Sequence, residues 1–207
     1  VYPQVADFTF YGGIYRDVSL IGVSKNHFDL DFYGAPGIAV TPKIDGNDAK
    51  ITIDAYCDGE VEFEISDGEK VVATAKASGK NPNAELEIKD VHLWNGVDDP
   101  FLYTAVAKLI VDGQAVDELK TRFGCRTFEI DPQKGFILNG REYPLRGVSR
   151  HQDRPHIGNA LLPEHHKEDM DLICEMGANT IRLAHYQHAQ YFYDLCDERG
   201  IVVWAEI

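Results

Sequence analysis

Three short stretches in the last third of the chain combine residue types that do chemistry. They are Arg150-His151-Gln152-Asp153, then Arg182 followed by His185-Tyr186, then Trp204 with Glu206. A hydroxyl-rich ligand needs paired donors and acceptors, which Arg, His, Asp and Glu supply. Its apolar ring face needs an aromatic surface, which Tyr and Trp supply. Together these types suit a sugar. Each residue also has a plainer role: His151 as a capped loop histidine, Arg182 as the partner of a nearby carboxylate, Trp204 as core. Tyr191 and Tyr193 read as core or interface residues. His165 and His166 are adjacent on a helix, point in different directions and read as a surface pair. His151, His156, His185 and His188 show neither HxxxH nor HExxH spacing, so a metal site is not indicated. Asp153 with Glu206 would form a carboxylate pair of the kind glycoside hydrolysis uses, but the spacing does not establish one.

The elements that must position these residues follow an α/β pattern. Strands are expected at Arg146–Arg150, at Thr180–Ala184 and from Ile201. Pro163 opens a first helix, where a missing N–H costs nothing. Met170, Ile173, Cys174 and Met176 are expected on its inner face, with Gly177 as cap. A second helix is expected from about Ala189 to Arg199, with Phe192, Leu195 and Cys196 inward and Gly200 as cap. Right-handed crossovers make the three strands parallel. Their carboxyl ends then share one rim, where function gathers in such structures.

Upstream, 38–130 reads as all-β. Ile51, Ile53 and Ala55, then Val61, Phe63 and Ile65, alternate with polar residues, the period of strands with one buried face. Asp58-Gly59, Asp67-Gly68 and Asp112-Gly113 are expected turns. Further strands are expected at Ala84–Ile88, Tyr103–Val111 and Ala115–Phe128. About seven strands in this span predict an immunoglobulin-like β-sandwich. Asn139-Gly140, between Phe136–Leu138 and Glu142–Leu145, predicts a two-residue hairpin. The aromatic, glycine-rich stretch Phe8–Val18 reads as the last strand of a preceding domain.

The 207 residues are 44% hydrophobic and 26% charged, with net charge −14. These values fit a globular chain and exclude a disordered tail or a coiled-coil rod. No apolar run reaches the ~18 residues of a membrane helix, and the acidic balance argues against a nucleic-acid partner. Residues 131–207 hold 8 Lys/Arg and 12 Asp/Glu, so they carry −4 and residues 1–130 carry −10. Six of the eight histidines lie in that second part, so the titratable groups gather there rather than in the sandwich. Cys57, Cys125, Cys174 and Cys196 form no CxxC pair and read as buried thiols, with a Cys57–Cys125 disulfide the minority option. The chain begins at Val1 and stops inside an apolar run, so it reads as an excised piece of a longer protein, with its compartment undetermined.

The residues Asn179-Thr-Ile-Arg182-Leu-Ala-His185-Tyr186, with Phe192-Tyr193, Asp197, Gly200 and Ile201-Val-Val-Trp204, resemble the signature of glycoside hydrolase family 2. Gly135–Gly140 leading into Leu145–Asp153 is similar to the approach to that family's catalytic barrel. Gly13–Val18 resembles the end of its sugar-binding jelly roll, and Leu93-Trp94 with Pro100–Tyr103 a mark of its middle sandwich. The resemblance implies three parts: 1–27, the tail of the jelly roll; 28–130, the immunoglobulin-like sandwich; 131–207, the first three strands of a (β/α)8 TIM barrel. The wording around Arg150 and Arg182 looks most like β-galactosidases. It implies a retaining hydrolase of terminal β-D-galactosides, with β-glucuronidase or β-mannosidase as the alternative. His151 and His185 match sugar-contacting histidines, and Arg182 an arginine near the nucleophile; Asp153 and Glu206 lie on the rim. Leu183 and Gln187 depart from the signature, which usually has a small residue and a proline there. In the family both catalytic acids come from later barrel strands, so the resemblance implies that none is in this chain and that the chain alone is inactive. It implies no cofactor for this chain, leaves room for a divalent metal in a longer enzyme, and suggests a homo-oligomer that buries the open barrel edges. A non-catalytic carbohydrate-binding sandwich module is the competing reading from another class; no GxGxxG or GxxxxGK supports a nucleotide cofactor.

Overall fold

A computed structural model describes residues 8–32 and 36–206. The chain divides into two compact units. One runs Ile21–Pro144; the other joins the described residues up to Leu20 with Leu145 onward.

The first unit is a sandwich of seven strands: β1 (Ile38–Asp45), β2 (Asp48–Ala55), β3 (Asp58–Asp67), β4 (Lys70–Lys80), β5 (Asn83–Ile88), β6 (Tyr103–Val111) and β7 (Gln114–Phe123). Antiparallel β1-β2-β5 form one sheet and β4-β3-β6-β7 the other. The period of two decides what fills the middle. Ile51, Ile53 and Ala55 of β2, Val61, Phe63 and Ile65 of β3, and Ala105, Ala107 and Leu109 of β6 are all buried, while the polar residues between them point away. Phe28 joins this core, its N–H held by Asp117 Oδ2 at 2.9 Å. All four cysteines are free, so the disulfide option falls.

Turn chemistry explains most boundaries. Asp112 and Gly113 both have positive φ, 51° and 76°, which the tight turn between β6 and β7 requires. Asp58-Gly59 differs from expectation. It lies inside β3, paired with Lys80 and Gly79, and a Cβ on Gly59 would meet Leu109 Cδ1 at 2.9 Å. That glycine serves a close approach, not a turn. The expected strand Ala115–Phe128 is also broken in two. The chain leaves β7 at Gly124, which lies flat against the Trp94 side chain, and re-forms as β8 (Phe128–Asp131) in a separate sheet with β9 (Gly135–Leu138) and β10 (Arg141–Glu142). The expected Asn139-Gly140 hairpin joins β9 to β10. Asn139 also donates to Trp94 O and Asn95 Oδ1, tying the hairpin into this unit.

The second unit carries β11 (Gly147–Arg150), α1 (Pro163–Glu175), β12 (Thr180–Leu183), α2 (Gln190–Arg199) and β13 (Val202–Ala205). The three strands are parallel in the order β11-β12-β13, with Ser149, Arg182 and Trp204 in one row and Arg150, Leu183 and Ala205 in the next. Met170, Ile173, Ile181, Leu183, Phe192, Leu195, Cys196 and Ile201 form its core. Pro163 stands in the first turn of α1, and Gly200 caps α2 with φ 73°. Met176 is 63% exposed, against expectation; it lies two residues past Cys174, roughly 200° further around the helix. Residues 8–27 contain no strand, contrary to the reading of Phe8–Val18; residues 1–7 lie outside the described residues. No helix among the described residues is long and apolar enough to cross a membrane.

Candidate functional site

Strand parity sorts the functional side chains into two layers. Successive residues of a strand point to opposite faces. Ser149, Arg182 and Trp204 therefore share the open face of the β11-β12-β13 sheet, while Arg150 turns to the face that α1 and α2 cover.

On the open face Arg182 Nε donates to Glu206 Oε1 at 2.7 Å and Nη1 to Ser149 Oγ at 3.2 Å. His185 Nδ1 lies 2.9 Å from Glu206 Oε2 and 3.3 Å from Arg182 Nη2. The Arg182 hydrogen bond, and then the His185 one, hold the Glu206 carboxyl below the usual carboxylate range. Gln187 Nε2 donates to Glu206 O at 3.3 Å, and Tyr193 donates to Gln187 Oε1. The rings of His151 and His185 meet edge-on, with centroids 5.3 Å apart. Phe8 lies 5.1 Å from the His185 ring and 5.8 Å from those of His151 and Tyr186. The His151 Nδ1 is buried and has no hydrogen-bond partner among the described residues. Trp204, on the same open face, is 67% exposed.

Thus His151, His185, Arg182 and Glu206 converge. Asp153 stands apart from that contact set: it lines an open cleft of about 730 Å³ with Tyr11, Arg154, His156 and Gly158. The cleft is closely built, since a Cβ on Gly158 would fall 2.7 Å from the Tyr11 ring. Among the described residues no group of three or more His, Cys, Asp or Glu could hold a metal ion.

A second layer lies beneath the rim. Arg150, only 6% exposed, donates from Nε and Nη2 to Asp169 Oδ2 at 2.9 and 2.6 Å. Nη2 also reaches His166 Nδ1, and Nη1 reaches His188 Nδ1, both at 3.1 Å. The guanidinium lies 3.9 Å over the Phe192 ring, and Arg154 holds Asp169 Oδ1 at 2.6 Å. Burial lowers the Arg150 pKa; first burial and then Arg150 take that of His166 down to about 4. His188 is also lowered to about 4, by burial first and with Arg150 contributing. His166 and His188 are 2% and 3% exposed. The surface-pair reading of His165-His166 is therefore corrected: His166 is core, and His165 Nδ1 accepts the Leu162 N–H at the start of α1. The sequence carried the signal, because His166, Met170 and Ile173 stand at i, i+4 and i+7 on one helix face. Gln152 belongs to the Arg150–Asp153 stretch singled out above, where it had no role of its own. Its N–H donates to the Tyr186 hydroxyl at 3.1 Å and its Oε1 accepts from Ala189 N at 2.6 Å, so it ties the loop after β11 to the loop after β12.

In sequence order, an immunoglobulin-like sandwich is followed by parallel β/α units with a His–Arg–Glu rim at the strand ends. Residues 36–126 match the family model "Glycosyl hydrolases family 2", and 128–207 match its TIM barrel domain. The chain belongs to glycoside hydrolase family 2. It is 44% identical to a β-glucuronidase of Bacteroides fragilis, over 100% of this chain and 32% of that protein. It is 30% identical to a β-galactosidase of Thermoanaerobacter pseudethanolicus, over 99% of this chain and 28% of that protein. The crystal structure of an FMN-binding β-glucuronidase from Facaelibacterium prausnitzii L2-6 superposes with a TM-score of 0.94 at 49% identity, covering 100% of this chain and 33% of that one. The chain thus spans about a third of the length of these relatives.

Proposed function

We propose that this chain is the sandwich and opening barrel strands of a retaining β-glucuronidase. The observation that carries the sugar choice is the identity of 44% and 49% to β-glucuronidases over the whole chain, against 30% to 38% to β-galactosidases. The galactosidase reading rested on the wording around Arg150 and Arg182, and that wording marks the family more than the sugar.

In this reading the rim binds the sugar. His151 and His185 face its hydroxyls, with Phe8 and Tyr186 as the apolar floor. Glu206 and Arg182 hold the His185 ring in place. Arg182 is already paired with Glu206, so the uronate carboxylate is not assigned to it. A retaining hydrolase needs one carboxylic acid to protonate the leaving oxygen and a carboxylate to attack the anomeric carbon. Glu206 is paired with Arg182 and His185, and in the family both acids come from later barrel strands. We assign neither step to the residues of this chain.

The test is the product of the whole open reading frame encoding these residues, assayed on 4-nitrophenyl β-D-glucuronide and on the matching galactoside. A kcat/KM for the glucuronide about 100-fold or more above the galactoside is expected, since a site built for a charged substituent rejects the analogue lacking it. A preference for the galactoside would return the reading to β-galactosidase.

A further inference from the structure

Both backbone groups of Ala184, the residue before the rim histidine His185, are fastened from below. Its N–H donates to the Arg150 carbonyl oxygen at 3.1 Å. Its own carbonyl lies 3.2 Å from His188 Nε2. The other ring nitrogen of His188 faces the Arg150 guanidinium. Guanidinium only donates, so His188 Nδ1 accepts and the ring proton sits on Nε2. That proton is then aimed at Ala184 O. Ala184 is fully buried.

We infer that Arg150 is a positioning residue for the proposed glycosidase reaction: with His188 as its relay, it clamps Ala184 and so fixes His185 against the sugar. Arg150 touches no substrate. It selects the His188 tautomer, and Asp169 with Arg154 anchors it in turn. His166 Nδ1 accepts a further guanidinium N–H, so four of the five Arg150 N–H groups are directed by side chains of α1 and of the loop before α2. The Phe192 ring beneath stops the guanidinium from sliding. A lysine would keep the charge beside Asp169 but could not also reach His188. The unpartnered Nδ1 of His151, the Tyr11 cleft and the charged outer face of β3, β4 and β6 offer no comparable chain of bonds.

The inference rests on the glycosidase reading, and the test separates the two. In the full-length protein, His188→Gln keeps a donor at the Nε2 position, and His188→Asn keeps only an acceptor at the Nδ1 position. On whichever glycoside the wild type turns over best, His188→Asn and Arg150→Lys are expected to lose about 10- to 100-fold in kcat/KM, the cost of a misplacement near 1 Å. His188→Gln is expected to stay within about 5-fold of wild type. Equal losses in the Gln and Asn variants, or lowered melting temperatures with unchanged kinetic constants, would overturn the inference. The glucuronide-to-galactoside ratio of the wild type bears on the sugar reading alone. Should no glycoside be turned over, the crystal structure of His188→Asn decides: Ala184 O and the His185 ring should be displaced, and their wild-type positions would refute the clamp.

Discussion

Burial first, with the Arg150 guanidinium contributing, holds His166 and His188 neutral. Arg150, Arg154 and His165 oppose a charge on His166; Arg150, His166 and Arg16 oppose one on His188; Asp169 favours one on His166. Each pKa falls from 6.5 to about 4 in the folded protein. The unfolded chain therefore binds more protons between those values, and stability is lost as pH falls from about 6.5 through about 4. Each histidine contributes at most about 3 kcal/mol to that loss. The expected result is a urea midpoint that drops between pH 6.5 and pH 4.5, with a shallower drop in His166→Asn, whose amide oxygen still accepts from Arg150. An equally steep drop in the variant would show that His166 does not titrate in this window. The rim was legible from residue types: His185, Arg182 and Glu206 meet as their strand-end positions imply. The layer beneath was not, because Arg150 beside His151 looked like part of the same rim. Only the parity of β11 separates them. Asp153 shows the same limit, since nearness in sequence to His151 did not bring it into contact.

Element boundaries depend on single glycines. Gly147 begins β11, and a Cβ there would fall 1.8 Å from the Thr180 carbonyl oxygen. That oxygen is backbone and cannot swing aside, so Gly147→Ala must push β11 away from β12. A loss of about 3 kcal/mol or more in urea unfolding is expected, at the upper end for overpacking. Gly113→Ala serves as a comparison, with strain at φ 76° but open space around it; a loss no larger for Gly147→Ala would contradict the packing account. Five of the seven sandwich strands and the parallel β/α order were readable because alternation and helix caps are local signals; β1 and β4 were counted but not placed. The break after β7 was not, because it is set by Gly124 against Trp94, a contact between residues far apart in sequence. Asp58-Gly59 carried a turn signature but answers to Leu109 across the sheet.

At the scale of the whole chain, membership of glycoside hydrolase family 2 joins these parts to one chemistry. The acidic sandwich is an ordered frame whose buried face is aliphatic and aromatic. The β/α unit offers the proposed sugar-binding rim above the Arg150 layer. On the rim Glu206 is held by Arg182 and His185. The proposed function divides the labour, with sugar contact here and bond cleavage by carboxylates outside these residues. A glucuronic-acid-shaped cyclophellitol aziridine tests that division, since such a reagent is covalently bound in the Bacteroides uniformis β-glucuronidase 2 structure, 31% identical with a TM-score of 0.86. The product of the whole open reading frame should be treated with it and the labelled peptide identified by mass spectrometry. The label is expected on a carboxylate outside these 207 residues; attachment to Glu206, Asp153 or any other carboxylate of the chain would contradict the account.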